Sequence, residues 1–350
     1  MRHFFANLVA MFFISKKSRR RIRNKIMKKS PIIQPKLNNN IDELEIKQKQ
    51  LFQIESQINE KLQELDNLEK KYNYQCLKSE WLMHNNGKIL LPGRFKEYDL
   101  IFAIGATCIS TDMIKSFGLR RFANPFDWTA GTEPKHWLQQ PNIYRDSRFR
   151  EKISAICDNF HDWLTPEYFK YVSIWHNPKD LNHHVVNIKT NIRYLHEFPA
   201  DQDIMQYMPE FIKKMRRGIN NLYDAIDKSQ KILVVWAANA YNDQLALLEQ
   251  PVPDKDIKWA VKQMQKIYPD KKFDFVFFEQ DGSKEKFEYE KIEVAPGAFK
   301  IKSNHFLIDC EYNFVAQAPE YRPHTHVISE MLDNIHLSKN AFKLTGSRKI

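Results

Sequence analysis

The amino-acid sequence predicts an α/β protein in which a layered mixed sheet with flanking helices follows a long N-terminal helix. Two observations support this fold class. The stretch from Ile41 to Trp81 contains no glycine or proline and is rich in Glu, Gln, Lys and Leu, which is typical of a long helix. Beyond Pro92 and Gly93, short apolar runs alternate with segments of helical periodicity, the pattern of a sheet covered by helices.

Residues 1–30 join a short apolar run to a strongly basic one. The apolar run, residues 3–14, is shorter than the roughly twenty residues that span a bilayer. The cations follow this run, whereas a cleaved signal peptide has them in front. Ten of the 54 Lys and Arg residues lie in this segment, which has no acid, and the other 44 nearly balance the 43 Asp and Glu residues.

This charge distribution predicts an anionic membrane surface as the partner of residues 1–30. The protein is then expected to be cytoplasmic and peripherally attached to the inner face of the cell membrane. A solvated basic tail, or a chain start wrongly placed upstream of Met11, is the plainer alternative. Contact with RNA or DNA is the third, but no basic surface with interleaved aromatic residues occurs elsewhere, so no nucleic-acid partner is expected.

Residues 41–82 form the predicted long helix, after a linker at residues 31–40 that contains two prolines and three consecutive asparagines. One seam position is apolar at Leu44, Leu51, Ile58, Leu65 and Tyr72; the other is apolar at Ile41 and Leu62 but polar at Gln48, Glu55 and Glu69. This imperfect seven-residue repeat predicts a coiled coil through which the chain self-associates, or a helical hairpin. A single amphipathic helix packed on its own domain is the alternative.

Residues 95–345 are predicted to form one α/β domain. Buried apolar runs predict strands at residues 98–104, 231–237, 273–278 and 305–309, and helical periodicity predicts helices at residues 210–226 and 257–267. The alternating run at residues 285–294 predicts an edge hairpin. Residues 129–190 are rich in Trp, Tyr, His and Pro and are predicted to be an irregular helical insertion.

Cys108 lies where a predicted strand gives way to helical spacing. The strand runs into a tight turn at Gly105, and Cys108 is among the first two residues of a helix that ends at Gly118. Backbone N–H groups and the positive end of the helix dipole lower the pKa of a thiol at such a place. The N–H groups near Thr107 would stabilise an oxyanion. Cys108 is therefore a candidate nucleophile, and a cysteine that only packs in the corner is the alternative.

The four cysteines, Cys76, Cys108, Cys157 and Cys310, include no CxxC pair, which argues against a disulfide framework and a thiolate zinc site. A thiol nucleophile needs a base, and His196 follows Cys108 in the chain. Chain order alone does not select it, because there are twelve histidines. The candidates for an orienting group are Asp201, Asp203 and Asn239, the last at the end of the strand predicted at residues 231–237.

Two sequence elements together carry a resemblance. The first is a strand, a Gly-x-x-Cys turn, a helix ending in Gly-Leu-Arg and a Pro-Phe-Asp-Trp motif, formed by Gly105, Cys108, Gly118, Leu119, Arg120, Pro125, Phe126, Asp127 and Trp128. The second is a His-Asp-Phe element before a helix with paired arginines and a strand, formed by His196, Phe198, Arg216, Arg217 and residues 231–237. The chain resembles, in these elements, a family of bacterial proteins classed as papain-like cysteine peptidases. It departs from the family at Glu197, where Asp is usual, and at Ala103-Ile104-Gly105, where Ser-Leu-Gly is commoner.

The resemblance implies a Rossmann-like or papain-like mixed sheet and a cysteine hydrolase or acyl-transfer enzyme, with Cys108 as nucleophile and His196 as general base. Asp127 and Asn239 are the further catalytic candidates, and the substrate-binding candidates are Gly105, Thr107, Arg120 and Trp128. A turn in which Trp128 packs and Asp127 caps is the alternative for that motif. The sequence has no HExxH, P-loop or GxGxxG motif, so neither a metal nor a cofactor is predicted.

Two other functions fit the same sequence. The first is a membrane-associated protein of surface-polysaccharide biosynthesis, in capsule or lipopolysaccharide, with a glycosyltransferase-like α/β body that binds a sugar nucleotide or acts on a glycan. Proteins of the resembled family look like companions of such systems. The second is a membrane scaffold in which the coiled coil and basic tail present the α/β body as a docking module.

Overall fold

The structure is a computed structural model that describes residues 34–88, 90–105, 109–127, 129–131, 148–176, 181–237, 251–281, 283–285, 287–303 and 326–341. The chain divides into two compact units, Met1–Glu69 and Lys70–Ile350. Within the described residues, the second unit combines helices with parallel and antiparallel strands, which confirms the predicted α/β class.

The elements are numbered in chain order. The strands are β1 (Glu97–Tyr98), β2 (Leu100–Ala103), β3 (Thr129–Gly131), β4 (Phe169–His176), β5 (Leu181–Asn187), β6 (Ile192–Pro199), β7 (Lys231–Ala237), β8 (Lys272–Gln280), β9 (Tyr289–Ala295), β10 (Ala298–Ser303) and β11 (His336–Leu337). The helices are α1 (Gln34–His84), α2 (Ile109–Ser116), α3 (Phe149–Cys157), α4 (Ile204–Asp227), α5 (Asp254–Ile267) and α6 (His326–Asp333). Two short 3₁₀ helices lie at His161–Trp163 and Pro166–Tyr168.

Helix α1 is 51 residues long and begins inside the predicted linker. Pro35 is its second residue, where the missing N–H leaves no helical hydrogen bond unmade. The described side chains from Ile46 to Glu69 are exposed. Near the end of the helix, in the second unit, Trp81 is buried and Lys78 donates a hydrogen bond to Asp333 of α6 (2.6 Å). The last turns of α1 are therefore part of the core of the second unit.

A five-stranded sheet in the order β2-β7-β8-β10-β9 lies in the second unit. The first four strands are parallel, and β9 pairs with β10 in the antiparallel direction at the edge. The strand predicted at residues 231–237 is β7, and those predicted at residues 98–104 and 273–278 overlap β2 and β8. The predicted edge hairpin is formed by β9 and β10, whereas residues 305–309 lie outside the described residues.

Side chains of this sheet alternate between two hydrophobic clusters, because successive residues of a strand point to opposite faces. On one face, Phe102, Val234 and Phe277 pack with residues of α3, α4 and α5. On the other face, Val235 and Phe278 pack with residues of α2, α6 and the end of α1. The sheet is thus covered by helices on both faces, as parallel sheets generally are.

A second, antiparallel sheet has the order β3-β6-β5-β4. Most of it falls in the segment predicted as an irregular helical insertion, whose described part contains three strands as well as helix α3. Tyr194 and Phe198 of β6 pack on Phe211 of α4, with ring centroids 5.1 and 4.6 Å apart. Strand β5 escapes sequence analysis because polar His184 is buried as deeply as apolar Val185, so the usual polar and apolar alternation is missing.

A short parallel pair joins β1 to β11. Among the helices that the structure describes, none has both the length and the apolar content needed to cross a lipid bilayer. Residues 1–30, which are predicted to lie on a membrane surface, are outside the described residues.

Candidate functional site

The two flanks of Cys108 are the end of a strand and the start of a helix. The chain leaves β2 through Ile104, whose N–H donates to a carbonyl of β7 (3.0 Å), and Gly105 follows in a buried position. Helix α2 begins at Ile109, one residue after Cys108. The predicted strand-to-helix junction is confirmed on both sides, whereas Cys108 and Thr107 themselves lie outside the described residues.

Helix α2 ends at Ser116, two residues before the glycine at which the sequence predicts its end. Gly118 has a φ of +67°, a left-handed conformation that costs glycine little and other residues more. The next N–H, of Leu119, donates to the Ile114 carbonyl (2.9 Å) and so closes the last turn. The length of α2 is therefore fixed by local sequence.

Lys152 of α3 is a buried cation at this junction, and the sequence analysis misses it. Its side chain is fully buried, and Nζ donates a hydrogen bond to the Gly105 carbonyl. A sequence signal does exist, because Lys152 shares the buried face of α3 with Phe149, Ile153 and Ile156, at helical spacing. A lysine on an apolar helix face needs a polar partner inside the protein, and in this fold that partner is the turn before Cys108.

The start of α2 is also tied to the end of β7. The Ser110 hydroxyl accepts a hydrogen bond from the Ala237 N–H (2.9 Å). Since β2 and β7 are adjacent and parallel, their carboxyl ends lie at the same edge of the sheet, where ligands bind in open α/β sheets. Asn239 comes two residues after Ala237 and lies outside the described residues.

Asp127 is fully buried and surrounded by donors. Arg120 donates to it through Nη2 (2.5 Å) and Nε (3.2 Å), Thr111 of α2 through its hydroxyl (3.1 Å), and Asn124 through its backbone N–H (2.9 Å). Burial raises the pKa of the Asp127 carboxyl, and the Arg120 guanidinium opposes that rise. These bonds fix the turn at residues 124–127 against α2.

The contacts of Asp127 favour the interpretation in which this residue caps the turn. Its catalytic role stays a prediction, and so does substrate binding by Arg120, whose side chain is 19% exposed. Trp128, the last residue of the Pro-Phe-Asp-Trp motif, lies outside the described residues.

His196 lies in an irregular part of β6. Tyr194 pairs with Val185 and Phe198 pairs with His183, so the three residues between Tyr194 and Phe198 stand opposite a single residue of β5. Such β-bulges turn side chains away from the regular alternation and are common beside active sites. His196 is half-buried.

Glu197, next to His196, is buried and paired with a lysine of α4. Lys214 Nζ lies 2.5 Å from Glu197 Oε2. Burial raises the pKa of the Glu197 carboxyl, Lys214 lowers it, and the negative charge of Asp127 raises it.

Helix α4 packs against the same turn. A Cβ on Gly218 would make ordinary van der Waals contact with the Ala123 carbonyl oxygen, at 3.5 Å. At the start of α4, the Asp203 carboxylate accepts hydrogen bonds from the N–H groups of Met205 (2.9 Å) and Gln206 (3.0 Å). Asp203, which sequence analysis names as an orienting candidate, is therefore the N-cap of this helix.

Asp127 is bonded to the helix that follows Cys108, and its negative charge contributes to the raised pKa of Glu197, the neighbour of His196. The bond is made by Thr111, three residues after Cys108. The described residues include a helix start and a buried lysine next to the position of Cys108, and a half-buried histidine in an irregular stretch of β6.

An open groove of about 780 Å³ runs along α4. Its apolar lining includes Met205, Met208 and Ile212, and its cations are Lys213, Arg216 and Arg217. The paired arginines of the resemblance therefore line this groove, which suits a ligand with an apolar part and an anionic group.

In the described part of the chain, no group of three or more His, Cys, Asp or Glu side chains is placed to hold a metal ion. No protein-family model matches the chain, and no match is found among the curated proteins or the solved structures. The class of the protein rests on its own fold and site: an α/β protein whose candidate cysteine follows the first parallel strand.

Proposed function

We propose that this protein is a cysteine-dependent hydrolase or acyl-transfer enzyme on a Rossmann-like or papain-like body, similar to papain-like cysteine peptidases. Cys108 is the proposed nucleophile and His196 the proposed general base. The observation that carries the proposal is the position of Cys108 in the chain, between the buried Gly105, which follows β2, and the first residue of α2, Ile109. Lys152 is bound to the same turn.

This setting favours the thiolate form of Cys108. The amino end of α2 carries a partial positive charge, and the buried ammonium of Lys152 adds a full positive charge beside the turn. A positive helix end and a protonated Lys152 would both lower the pKa of a nearby thiol, and the thiolate is the form that attacks.

In the proposed reaction, His196 takes the proton of the Cys108 thiol and the sulfur bonds to the substrate carbonyl carbon. The resulting oxyanion is bound by backbone N–H groups near Thr107 and Cys108. His196 then protonates the leaving group as the carbon–leaving-group bond breaks. Water, or another acceptor, attacks the thioester and releases Cys108. Asp127 and Asn239 are the candidates that orient His196, and Gly105, Thr107, Arg120 and Trp128 those that bind substrate.

Alkylation with iodoacetamide between pH 5 and pH 9, followed residue by residue by mass spectrometry, tests the proposal. Cys108 should react with a pH midpoint below the ordinary cysteine pKa of about 8.5. Cys157 is an internal reference in the same sample, because burial and the charge of Asp158 raise the pKa of its thiol. A Cys108 profile equal to that of free cysteine would overturn the assignment of a nucleophile.

A second candidate function is favoured by the groove along α4. Its apolar lining and its cations Lys213, Arg216 and Arg217 suit the diphosphate of a sugar nucleotide or of a lipid-linked glycan. On this proposal the protein takes part in surface-polysaccharide biosynthesis as a glycosyltransferase-like α/β protein. A panel of nucleotide sugars should then raise the melting temperature, and a variant with Arg216→Ala and Arg217→Ala should lose that shift. No shift with any donor counts against this function.

We also propose that residues 1–30 attach the protein to the inner face of the cell membrane. The support is their apolar and basic sequence. The full chain should sediment with vesicles that contain anionic lipid but not with neutral ones, and a chain without residues 1–30 should stay in the supernatant with both.

A further inference from the structure

One face of α1 carries a continuous exposed apolar stripe. Its side chains are each between 51% and 70% exposed, and they are Leu51, Ile54, Ile58, Leu62, Leu65, Leu68 and Tyr72. Consecutive members are three or four residues apart, and the six steps from residue 51 to residue 72 average 3.5 residues. This is the spacing of a coiled-coil seam. Ile54 and Leu68 make the stripe more continuous than the seven-residue repeat alone indicates.

We propose that two copies of this chain pair along this stripe as a parallel, in-register coiled coil. Burial of one such side chain contributes about 1.5 to 3 kcal/mol, and a second copy presents the same stripe with the same period. A long helix gains most of its stability from the packing of an apolar face. The stripe is exposed along its whole length in the single chain, so a second helix supplies the packing that the period of the stripe fits.

Charge and geometry favour the parallel orientation. In a parallel pair, a residue that flanks the seam lies beside the residue five positions later in the other copy, so Lys61 lies beside Asp66 and their charges attract. Glu55 and Glu69 fall in the seam and face their own copies in register, so the repulsion between like charges weakens the pair at these two layers. Parallel helices also place both copies of residues 1–30 at the same end, where they can contact one membrane.

Cys76 provides a direct test of this register. It continues the seam position of Leu62 and Glu69 at seven-residue spacing, and it is a half-exposed free thiol. In a parallel, in-register pair the two Cys76 side chains face each other at a distance that a disulfide can bridge. In an antiparallel pair they lie at opposite ends of the stripe.

The first measurement is the mass of the full chain in solution. Sedimentation equilibrium at micromolar concentration should give a dimer, and Ile58→Glu should raise its dissociation constant about a hundredfold or more, since two buried apolar side chains are lost per dimer. Gln57→Glu is the matched control, because Gln57 is exposed and lies off the stripe. A monomer, or a dimer that both substitutions leave unchanged, overturns the proposal.

The second measurement uses a chain in which Cys108, Cys157 and Cys310 are replaced by serine, so that Cys76 is the remaining thiol. Diamide accepts the two electrons and two protons released when the thiols join. Non-reducing electrophoresis should show a disulfide-linked dimer. The control carries Cys76→Ser together with Ser56→Cys, a position on the opposite face of the helix, and should stay uncrosslinked. A dimer whose Cys76 residues do not crosslink overturns the parallel register.

Discussion

In the five-stranded sheet, a charged side chain is buried at the amino ends of the strands and another at their carboxyl ends, but the two have different surroundings. At the amino ends of the strands, Asp274 is fully buried and accepts hydrogen bonds from the Tyr98 hydroxyl (2.7 Å) and from the backbone N–H and Nε of Arg94 (both 2.6 Å). At the carboxyl ends, Lys152 is equally buried, and its Nζ donates a hydrogen bond to the Gly105 carbonyl.

This difference separates a stabilising charge from one that can act on a reaction. The Asp274 carboxylate is bound by a guanidinium and a hydroxyl, so removal of the carboxylate takes away the acceptor that both of them share. The Lys152 Nζ is bonded to the Gly105 carbonyl, three residues before Cys108, so on the proposed function its charge would act on a thiolate of Cys108. Buried charge therefore points to function only where a reacting group is beside it.

The largest expected effect comes from the amino edge. Asp274→Ala should lower the free energy of unfolding by about 3 kcal/mol, because it leaves Arg94 and the buried Tyr98 hydroxyl without their acceptor. Urea unfolding followed by circular dichroism measures it, and Tyr98→Phe, which removes one hydrogen bond, should cost about 1 kcal/mol. The rate at which iodoacetamide alkylates Cys108 in the folded variants should stay within about twofold of that of the parent. A larger loss of reactivity would mean that Asp274, at the amino ends of the strands, affects the surroundings of Cys108 at the carboxyl ends.

An intermediate effect is expected at the carboxyl ends of the strands, where a substitution should change the reactivity of Cys108 but hardly change the free energy of unfolding. Lys152→Met should lower the alkylation rate of Cys108 at pH 7 by about tenfold, the change that corresponds to one pKa unit. The free energy of unfolding should change by less than about 1.5 kcal/mol, because an apolar side chain of similar length replaces a buried ion. Lys115→Met, an exposed position of α2, is the control and should change neither quantity. A loss of stability without a change in rate would make Lys152 a structural residue like Asp274.

The smallest expected effect is the pH dependence of Glu197→Gln. The folded-state pKa of Glu197 is raised, first by burial, above an unfolded value of about 4.3. The folded protein therefore holds this proton more tightly, and the group lowers stability as the pH rises from about 4 through its folded pKa. Relative to the parent, the glutamine variant should gain stability between pH 4 and pH 7, by under about 1 kcal/mol. A gain by the parent instead would mean that the pair with Lys214 outweighs burial.

The parallel strands of the fold follow from the sequence, whereas the antiparallel sheet does not. Strand β7 is predicted at its observed bounds because its apolar run is buried on both faces. In the second sheet, Arg193 and His184 are buried and bonded to each other (2.8 Å), and burial with an arginine neighbour lowers the pKa of His184 to about 3. Because Arg193 and His184 are polar, the hydrophobic pattern of the sequence does not show that they are buried.

The start of helix α4 depends on an N-cap and on core contacts that the sequence pattern does not show. Helix α4 is predicted from residue 210, but it begins at Ile204 and contains Pro209. The N-cap carboxylate of Asp203 and the apolar contacts of Met208 and Phe211 stabilise the first turns, and they outweigh the usual effect of a proline. A helix start inferred from a proline is therefore too late in the chain when a strong N-cap residue precedes that proline.

The candidate site could be predicted in part. The junction at Cys108 follows from local sequence, because Gly105 and Gly118 mark the turns on either side of the helix. The contacts of Asp127 with Arg120 and Thr111 depend on how the chain folds back, which spacing does not encode. Lys152 is the clearest omission, since the sequence shows its place on the apolar face of α3 but not its partner, the Gly105 carbonyl.

The last turns of α1 are expected to unfold together with the α/β unit, because they are part of its core. Trp81 lies in one of the two clusters that cover the sheet, and Lys78 is bonded to Asp333, so these turns open only when the body unfolds. Their backbone amides should exchange with solvent hydrogen at the rate of global unfolding, whereas those between Ile46 and Glu69 exchange by local fraying in the isolated chain. A shortened protein that begins at residue 85 would lack Trp81, and its core would contain a cavity where the indole ring packs.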